Sequence, residues 1–215
     1  RRDAVSDVHG FALSTDGKQA LVAAGGTHEL LVLQANDLPW LGIGASEHMD
    51  DDLARSRQRF RRIPLGGRPM SVHVAHDGTR AFVTNYFRNS VQIVDLTERK
   101  VATEIALGGP LEPTTSARRG EAIFHDAARC LENWYTCHTC HFDGGPNAET
   151  IDTFNDGSSG TYKTVPALHN IADTGPYTWH GWQKDLHDSI NGSFVTTMRG
   201  QRPTYVGSVG RPERT

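Results

Sequence analysis

An internal repeat is the feature of this sequence that most limits what it can fold into. Residues 14–37 align without a gap with residues 75–98, so the offset from position 14 to position 75 is 61. The match of IPLGG at 63–67 with IALGG at 105–109 gives an offset of 42 instead. The first copy therefore holds about 19 extra residues, and a unit of about 42 residues is typical of a four-stranded β-propeller blade.

The local pattern in both copies indicates strands, because short β-rich runs are separated by turn residues such as Asp-Gly. The run FVTNYFRNSVQIVDL at 82–96 resembles the YVTN family of propeller repeats, and the resemblance covers residues 8–109. Two blades are too few for a ring of roughly four to eight, and open blade edges expose unpaired strand groups. We therefore expect the remaining blades to come from the same gene product, from another chain or from a symmetry mate.

The extra residues of the first copy form an insertion at about 38–62. Within it, acidic residues from Glu47 to Asp52 precede basic residues from Arg55 to Arg62, an order that favours a short helix through its dipole. Three interpretations of the insertion are open: a docking loop, a calcium site, or a solvated excursion, meaning a solvent-exposed loop that leaves the propeller. The usual behaviour of charge runs favours the solvated excursion.

The chemical signal of the sequence is the run CHTCH at 137–141, which has the C-x-x-C-H spacing of c-type haem attachment. Two thiols one helical turn apart can join the two vinyl groups of a porphyrin, and the next histidine can ligate the iron. A zinc site that includes Cys130 is the first alternative, but the usual second ligand pair is missing. A thioredoxin-like redox pair is another, but no βαβ pattern surrounds it. We expect the leftover Cys130 to be a buried small hydrophobic side chain rather than a reactive thiol.

The residues around this motif resemble a known haem family. RRGEAIFHDA, CHTCHFDG and PYTWHGW, within about 118–200, are similar to the cytochrome c peroxidase and MauG-like family, and the chain resembles bacterial fusions of YVTN repeats with such a domain. The resemblance implies a mixed fold: incomplete, all-β propeller blades at 1–112, then a mainly α-helical cytochrome c-type domain at 113–215. It also implies that Gly120 permits a close helix crossing, that Phe124 covers the haem edge and that Trp179 lines the haem pocket.

Haem c bound covalently through Cys137 and Cys140, with His141 on the iron, is thus the expected cofactor. The sixth ligand is open between Met198, His180 and no protein ligand. Met198 lies near the end of the family resemblance, and a thioether ligand would raise the iron potential. His180 belongs to PYTWHGW, and in the family the histidine of this element usually stands beside the iron ligands.

Charge and hydropathy exclude two other classes of partner. The formal net charge of -3 gives no basic field for nucleic acid. No apolar run approaches the roughly 18 residues of a transmembrane segment. Because c-type haem is attached outside the bacterial cytoplasmic membrane, the resemblance implies a periplasmic or extracellular protein.

These observations lead to competing functions. The favoured hypothesis is an electron-transfer protein with a His/Met-ligated haem, in which the propeller blades dock a redox partner protein. The alternative is a peroxidase or MauG-like oxidase, which needs an open haem site and a second haem, and this chain has only one C-x-x-C-H motif. A third hypothesis is a binding scaffold whose haem reports redox state.

Overall fold

The computed structural model describes residues 4–35, 55–110 and 114–200. They belong to two compact units: Val8–Ala122, and a second unit that combines residues 4–7 with residues 123–200. The first unit extends beyond residue 112 because the guanidinium of Arg118 lies 4.0 Å from the centre of the Tyr86 ring. The Tyr86 hydroxyl also donates a 2.9 Å hydrogen bond to Glu121.

The first unit contains two antiparallel sheets of four strands, each with its strands adjacent in chain order. The first sheet consists of β1 (Val8–Leu13), β2 (Gln19–Ala24), β3 (Glu29–Gln34) and β4 (Phe60–Pro64). The second sheet consists of β5 (Pro69–Val74), β6 (Arg80–Asn85), β7 (Ser90–Asp95) and β8 (Lys100–Ala106). Four-stranded antiparallel sheets of this kind are the blades of propellers, which agrees with the predicted pair of incomplete propeller-like blades.

The turn between the first two strands of each sheet repeats in atomic detail. Asp16 Oδ1 accepts a 3.1 Å hydrogen bond from the Lys18 amide, and Asp77 Oδ1 accepts a 3.0 Å bond from the Thr79 amide. The glycines that follow have φ values of 70° in the first turn and 69° in the second, in the left-handed region. The 61-residue repeat is therefore visible in the folded chain.

One apolar core joins the two blades. Strand residues alternate between the two faces of a sheet, and β6 shows this as exposed and buried positions in strict succession. The core contains the buried residues Leu21, Leu30, Val32, Ile63, Leu65, Val74, Ala81, Val83, Val94 and Leu96. Full burial of one such aliphatic side chain contributes about 1.5–3 kcal/mol.

A polar network also stabilises the second blade. Glu104 accepts hydrogen bonds of 2.7 and 2.8 Å from the Arg88 guanidinium and one of 2.6 Å from the Ser90 hydroxyl. The Arg88 bond is the main cause that holds the pKa of Glu104 below its usual value. The carboxylate is thus the form that the folded blade favours.

The insertion predicted at 38–62 ends earlier in the structure than the sequence suggested. Residues from Phe60 onward belong to β4, in which Leu33 pairs with Phe60 and Leu31 with Arg62. Arg62 is held in the sheet by a 2.6 Å ion pair with Glu29. The acidic residues on which the calcium interpretation depends, from Glu47 to Asp52, lie outside the described residues.

Short helices, turns and loops make up most of the second unit. The regular elements here are α1 (Ser116–Phe124), which begins in the first unit, α2 (Cys137–Cys140), α3 (Leu186–Gly192), a π-helical turn (Ser193–Thr197) and the pair β9 (Thr150–Ile151) and β10 (Lys163–Thr164). The described residues therefore do not form the mainly α-helical domain that was expected. The reason lies in the sequence between 142 and 182, where glycine, proline, asparagine and aspartate are frequent and favour turns. None of the described helices combines the length and apolar character needed to cross a membrane.

Candidate functional site

The C-x-x-C-H motif lies on helix α2, which a capping box begins. The Thr136 hydroxyl accepts a 3.2 Å hydrogen bond from the Thr139 amide, and the Thr139 hydroxyl accepts a 3.1 Å bond from the Thr136 amide. These bonds satisfy amides that the first helical turn leaves without partners. They keep Cys137 and Cys140 one turn apart in a helix of four residues.

His141 follows this helix directly and is oriented by a backbone carbonyl. Its Nδ1 lies 2.9 Å from the Pro166 oxygen. A carbonyl only accepts hydrogen bonds, so Nδ1 carries the proton and Nε2 is left with its lone pair. Burial lowers the pKa of His141, which favours the neutral ring that a metal requires. In the described part of the chain, no hydrogen bond engages Nε2.

The cysteine thiols are free and protonated at neutral pH. Burial, with a smaller effect of Cys140, raises the pKa of Cys137 to about 12, and burial also raises the pKa of Cys140. A zinc site needs thiolates with their sulfurs close together. Across residues 4–35, 55–110 and 114–200, no cluster that includes Cys137 or Cys140 brings three potential ligand atoms within 4.8 Å of one another.

Met198 lies beside the motif rather than at the surface. It is 4% exposed and forms a small apolar cluster with Cys130 and Phe194, against which Cys137 packs. Its amide donates to the Ser193 carbonyl at 2.9 Å, and its carbonyl accepts from the Leu131 amide at 2.9 Å. The predicted burial of Cys130 is confirmed by its exposed fraction of 6%.

Trp179 and His180 belong to a loop, and Trp179 contacts strand β10. The Trp179 indole donates a 2.9 Å hydrogen bond to the Thr164 carbonyl, two residues before the Pro166 carbonyl that holds His141. His180 Nε2 is 4.0 Å from an Asp156 oxygen, and its ring lies 5.2 Å from the Trp182 ring. His180 is thus directed at Asp156 and Trp182 in this structure.

Phe124 and Gly120 both lie in helix α1. Phe124 packs against two imidazoles, with ring centres 5.3 Å from His125 and 6.4 Å from His138. A Cβ at Gly120 would meet no described atom within 4 Å. The close helix crossing expected at Gly120 is therefore not found among the described residues.

The sequence reasoning missed the buried histidine inside the motif. His138 is 2% exposed, and its Nδ1 lies 2.8 Å from Asp7 Oδ1. His125 Nδ1 is 3.5 Å from the other oxygen of the same carboxylate. The Thr-x-x-Thr spacing at 136–139 could have predicted the capping box, but nothing in the sequence relates Asp7 to a residue 131 positions away.

Large apolar side chains are exposed in several parts of the second unit. Each of these residues has more than a third of its surface exposed to solvent: Leu131, Trp134, Phe142, Phe154, Tyr162, Trp179, Trp182, Ile190 and Val195. Two thiols one helical turn apart, a neutral imidazole with a lone pair on Nε2 and nearby aromatic rings such as Phe142 and Trp179 fit the binding of haem c.

Comparisons with known proteins give no family for this chain. No family model and no curated protein matches it. Among solved structures, it is similar to hydrazine synthase of Kuenenia stuttgartiensis, with 18% identity and a TM-score of 0.35 over 50% of this chain and 26% of that one. It is also similar to AztD of Citrobacter koseri, with 14% identity and a TM-score of 0.27 over 52% of this chain and 36% of that one. At such low identity the similarity says nothing about function.

Proposed function

We propose that this chain is a c-type haem protein that transfers electrons. The observation that carries the proposal is the geometry at His141, whose Nδ1 donates a 2.9 Å hydrogen bond to the Pro166 carbonyl. Histidines that bind metals usually donate their other ring proton in this way, which fixes the tautomer and orients the ring. The same helix carries Cys137 and Cys140 at the spacing that the two vinyl groups require.

Each residue of the site then has a defined task. Cys137 and Cys140 would form the thioether bonds, and the Thr136–Thr139 capping box would keep them on one helical turn. His141 would supply Nε2 as an iron ligand. Phe142 and Trp179, both 58% exposed, would cover apolar parts of the cofactor and limit the access of water. When bound, the haem supplies a site for reversible one-electron oxidation and reduction.

Met198 is the sixth ligand that we propose. Its side chain is buried within the cluster that also contacts Cys137, whereas the side chain of His180 is 53% exposed and faces Asp156. A thioether ligand would raise the potential and close the iron to peroxide, which suits transfer of electrons to a redox partner protein. In this proposal the protein works in the periplasm or outside the cell, and its blades serve as the docking module.

A test of covalent attachment decides whether the motif binds haem. The chain is produced in cells that mature c-type haem, and the denatured protein is stained for haem on a gel. We expect pigment on the wild-type chain and on Cys130→Ala, and none on the Cys137→Ala, Cys140→Ala double variant. Pigment that extracts from the wild-type chain into acidified organic solvent would refute the thioether bonds.

A second test separates electron transfer from the peroxidase alternative. The ferric wild-type protein should have a low-spin optical spectrum with methionine ligation, and Met198→Ala should become high-spin. His180→Ala, as the matched variant, should leave the spin state unchanged. A high-spin wild-type spectrum with rapid reaction toward peroxide would contradict the electron-transfer proposal and favour the peroxidase.

A further inference from the structure

The two blades contact each other through unlike faces. We call the face that the first blade turns toward the second its forward face, and the face that the second blade turns toward the first its rear face. The forward face of the first blade contributes Leu21, Leu30, Val32 and Ile63 to the core. The rear face of the second blade contributes Val72, Val74, Ala81, Val83 and Val94.

The repeat shows that the second blade also has an apolar forward face. The offset of 61 aligns Leu21 with Phe82, Leu30 with Val91, and Val32 with Ile93, and the offset of 42 aligns Ile63 with Ile105. Phe82 pairs with Ile93 and Val91 pairs with Ile105 across neighbouring strands, so the four side chains share one face of the sheet.

This second forward face is open to solvent. Phe82 is 37% exposed and Ile105 is 49% exposed, whereas their counterparts in the first blade, Leu21 and Ile63, are 0% and 1% exposed. The difference does not come from side-chain chemistry, because both sets are apolar. Among the residues that the structure describes, a neighbouring blade covers the forward face of the first blade and none covers that of the second.

The first blade has a matching rear face. The offset of 61 aligns Val72 with Phe11, Val74 with Leu13, and Val83 with Val22. Phe11 pairs with Val22 across neighbouring strands, and Leu13 pairs with Ala20, the counterpart of Ala81. Phe11 is 63% exposed and Leu13 is 52% exposed, whereas Val74 is 7% exposed.

We propose that these two open faces bind each other between two copies of this chain, forward face against rear face. Every copy carries both halves of the contact, and each half has the apolar pattern that already packs in the core between its own blades. Such an interface is heterologous, so copies add head to tail and close a ring when the rotation per copy allows it. The contact would also cover apolar side chains that a lone chain leaves in water.

The test uses two variants that each disable one face. Ile105→Glu places a charge on the forward face and Leu13→Glu places one on the rear face. Both positions are at least 49% exposed, so neither charge disturbs the core. Thr97→Glu, in the exposed turn between β7 and β8, is the matched control. Sedimentation velocity measures the size of the chain over a wide range of concentrations, and circular dichroism checks that each variant is folded.

We expect the wild-type chain and Thr97→Glu to self-associate, and each face variant alone to be monomeric. A mixture of Ile105→Glu and Leu13→Glu should form a one-to-one dimer and nothing larger, because each variant retains the face that the other lacks. Phe82→Lys with Phe11→Lys repeats the experiment at other positions with the opposite charge.

Three results would overturn the proposal. The first is a wild-type chain that stays monomeric at all concentrations, which would leave the open faces to some other occupant. The second is a face variant that still associates with itself, which would indicate contact between like faces. The third is a mixture of two folded variants that remains monomeric.

Discussion

At the scale of single residues, His141 shows how a backbone carbonyl can decide the role of a side chain. The Pro166 carbonyl lies 25 residues along the chain from His141 and accepts a hydrogen bond from its Nδ1–H. The remaining nitrogen is then a lone-pair donor, and burial lowers the pKa of the ring so that it stays neutral. The C-x-x-C-H spacing predicts the ligand, but only the fold supplies the carbonyl that prepares it.

Glu104 should make the stability of the second blade depend on pH. Its pKa is lowered from 4.5, chiefly by the Arg88 hydrogen bond, so its contribution is present above pH 4.5 and is lost as the pH falls through the lower folded value. Glu104→Gln should reduce the free energy of unfolding at pH 7 by about 1–3 kcal/mol and weaken the acid dependence. Denaturant unfolding across this pH range measures both effects.

Glu98→Gln is the control for this prediction. The Glu98 side chain is 62% exposed and lies 3.9 Å from Lys100, so its removal should change stability very little. Equal losses in the two variants, or an acid profile of Glu104→Gln that matches the wild type, would contradict the role given to Glu104.

At the scale of elements, helix α2 depends on its cap more than on its length. Four residues are too few for a helix to be stable alone, and α2 is held by the reciprocal Thr136–Thr139 bonds. The turns of the two blades show a similar dependence on particular residues, because each has a glycine with φ near +70° after its aspartate. In both cases local side-chain chemistry sets where the element begins or turns.

Removal of the cap should destabilise the motif. Thr136→Ala removes a fully buried hydroxyl and leaves the Thr139 amide only its 3.2 Å hydrogen bond to the Thr136 carbonyl. We expect a loss of about 1 kcal/mol in the free energy of unfolding. Thr97→Ala, at an exposed turn, removes the same atoms and should change stability far less. Chemical unfolding of the haem-free chain compares them, and equal losses would show that the cap contributes nothing.

Equivalent turns should respond equally to equivalent substitutions. Gly17 and Gly78 have φ values of 70° and 69°, and an added Cβ at either would meet no atom within 4 Å. Gly17→Ala and Gly78→Ala should therefore each cost about 1–2 kcal/mol, from backbone conformation alone. Gly120→Ala, in helix α1, should instead raise stability by up to about 1 kcal/mol. Thermal unfolding tests this contrast, and opposite signs at the two turns would contradict their equivalence.

At the scale of the whole molecule, the repeat predicted much of the fold and the motif predicted only part of the site. The offsets of 61 and 42 located both blades because each strand has counterparts at fixed spacing. They could not place the end of the insertion, since Phe60 joins β4 through pairing with β3. The roles of Pro166 and Asp7 could not be predicted at all, because their partners are 25 and 131 residues away.

Head-to-tail association should also appear in thermal unfolding. Association that favours the native state stabilises it by mass action, so the midpoint should rise with chain concentration. The midpoint of Ile105→Glu should be independent of concentration, whereas Thr97→Glu should behave as the wild type. A wild-type midpoint that does not depend on concentration would argue against the contact.

The hydrogen bond between Asp7 and His138 has a consequence for the order in which the chain folds. The two residues are 131 positions apart, and the strands of both blades lie between them in the sequence. Contacts between neighbouring strands close short loops, so the blades can form before Asp7 meets His138. The unit that holds the cysteines is therefore completed by the closure of a very long loop.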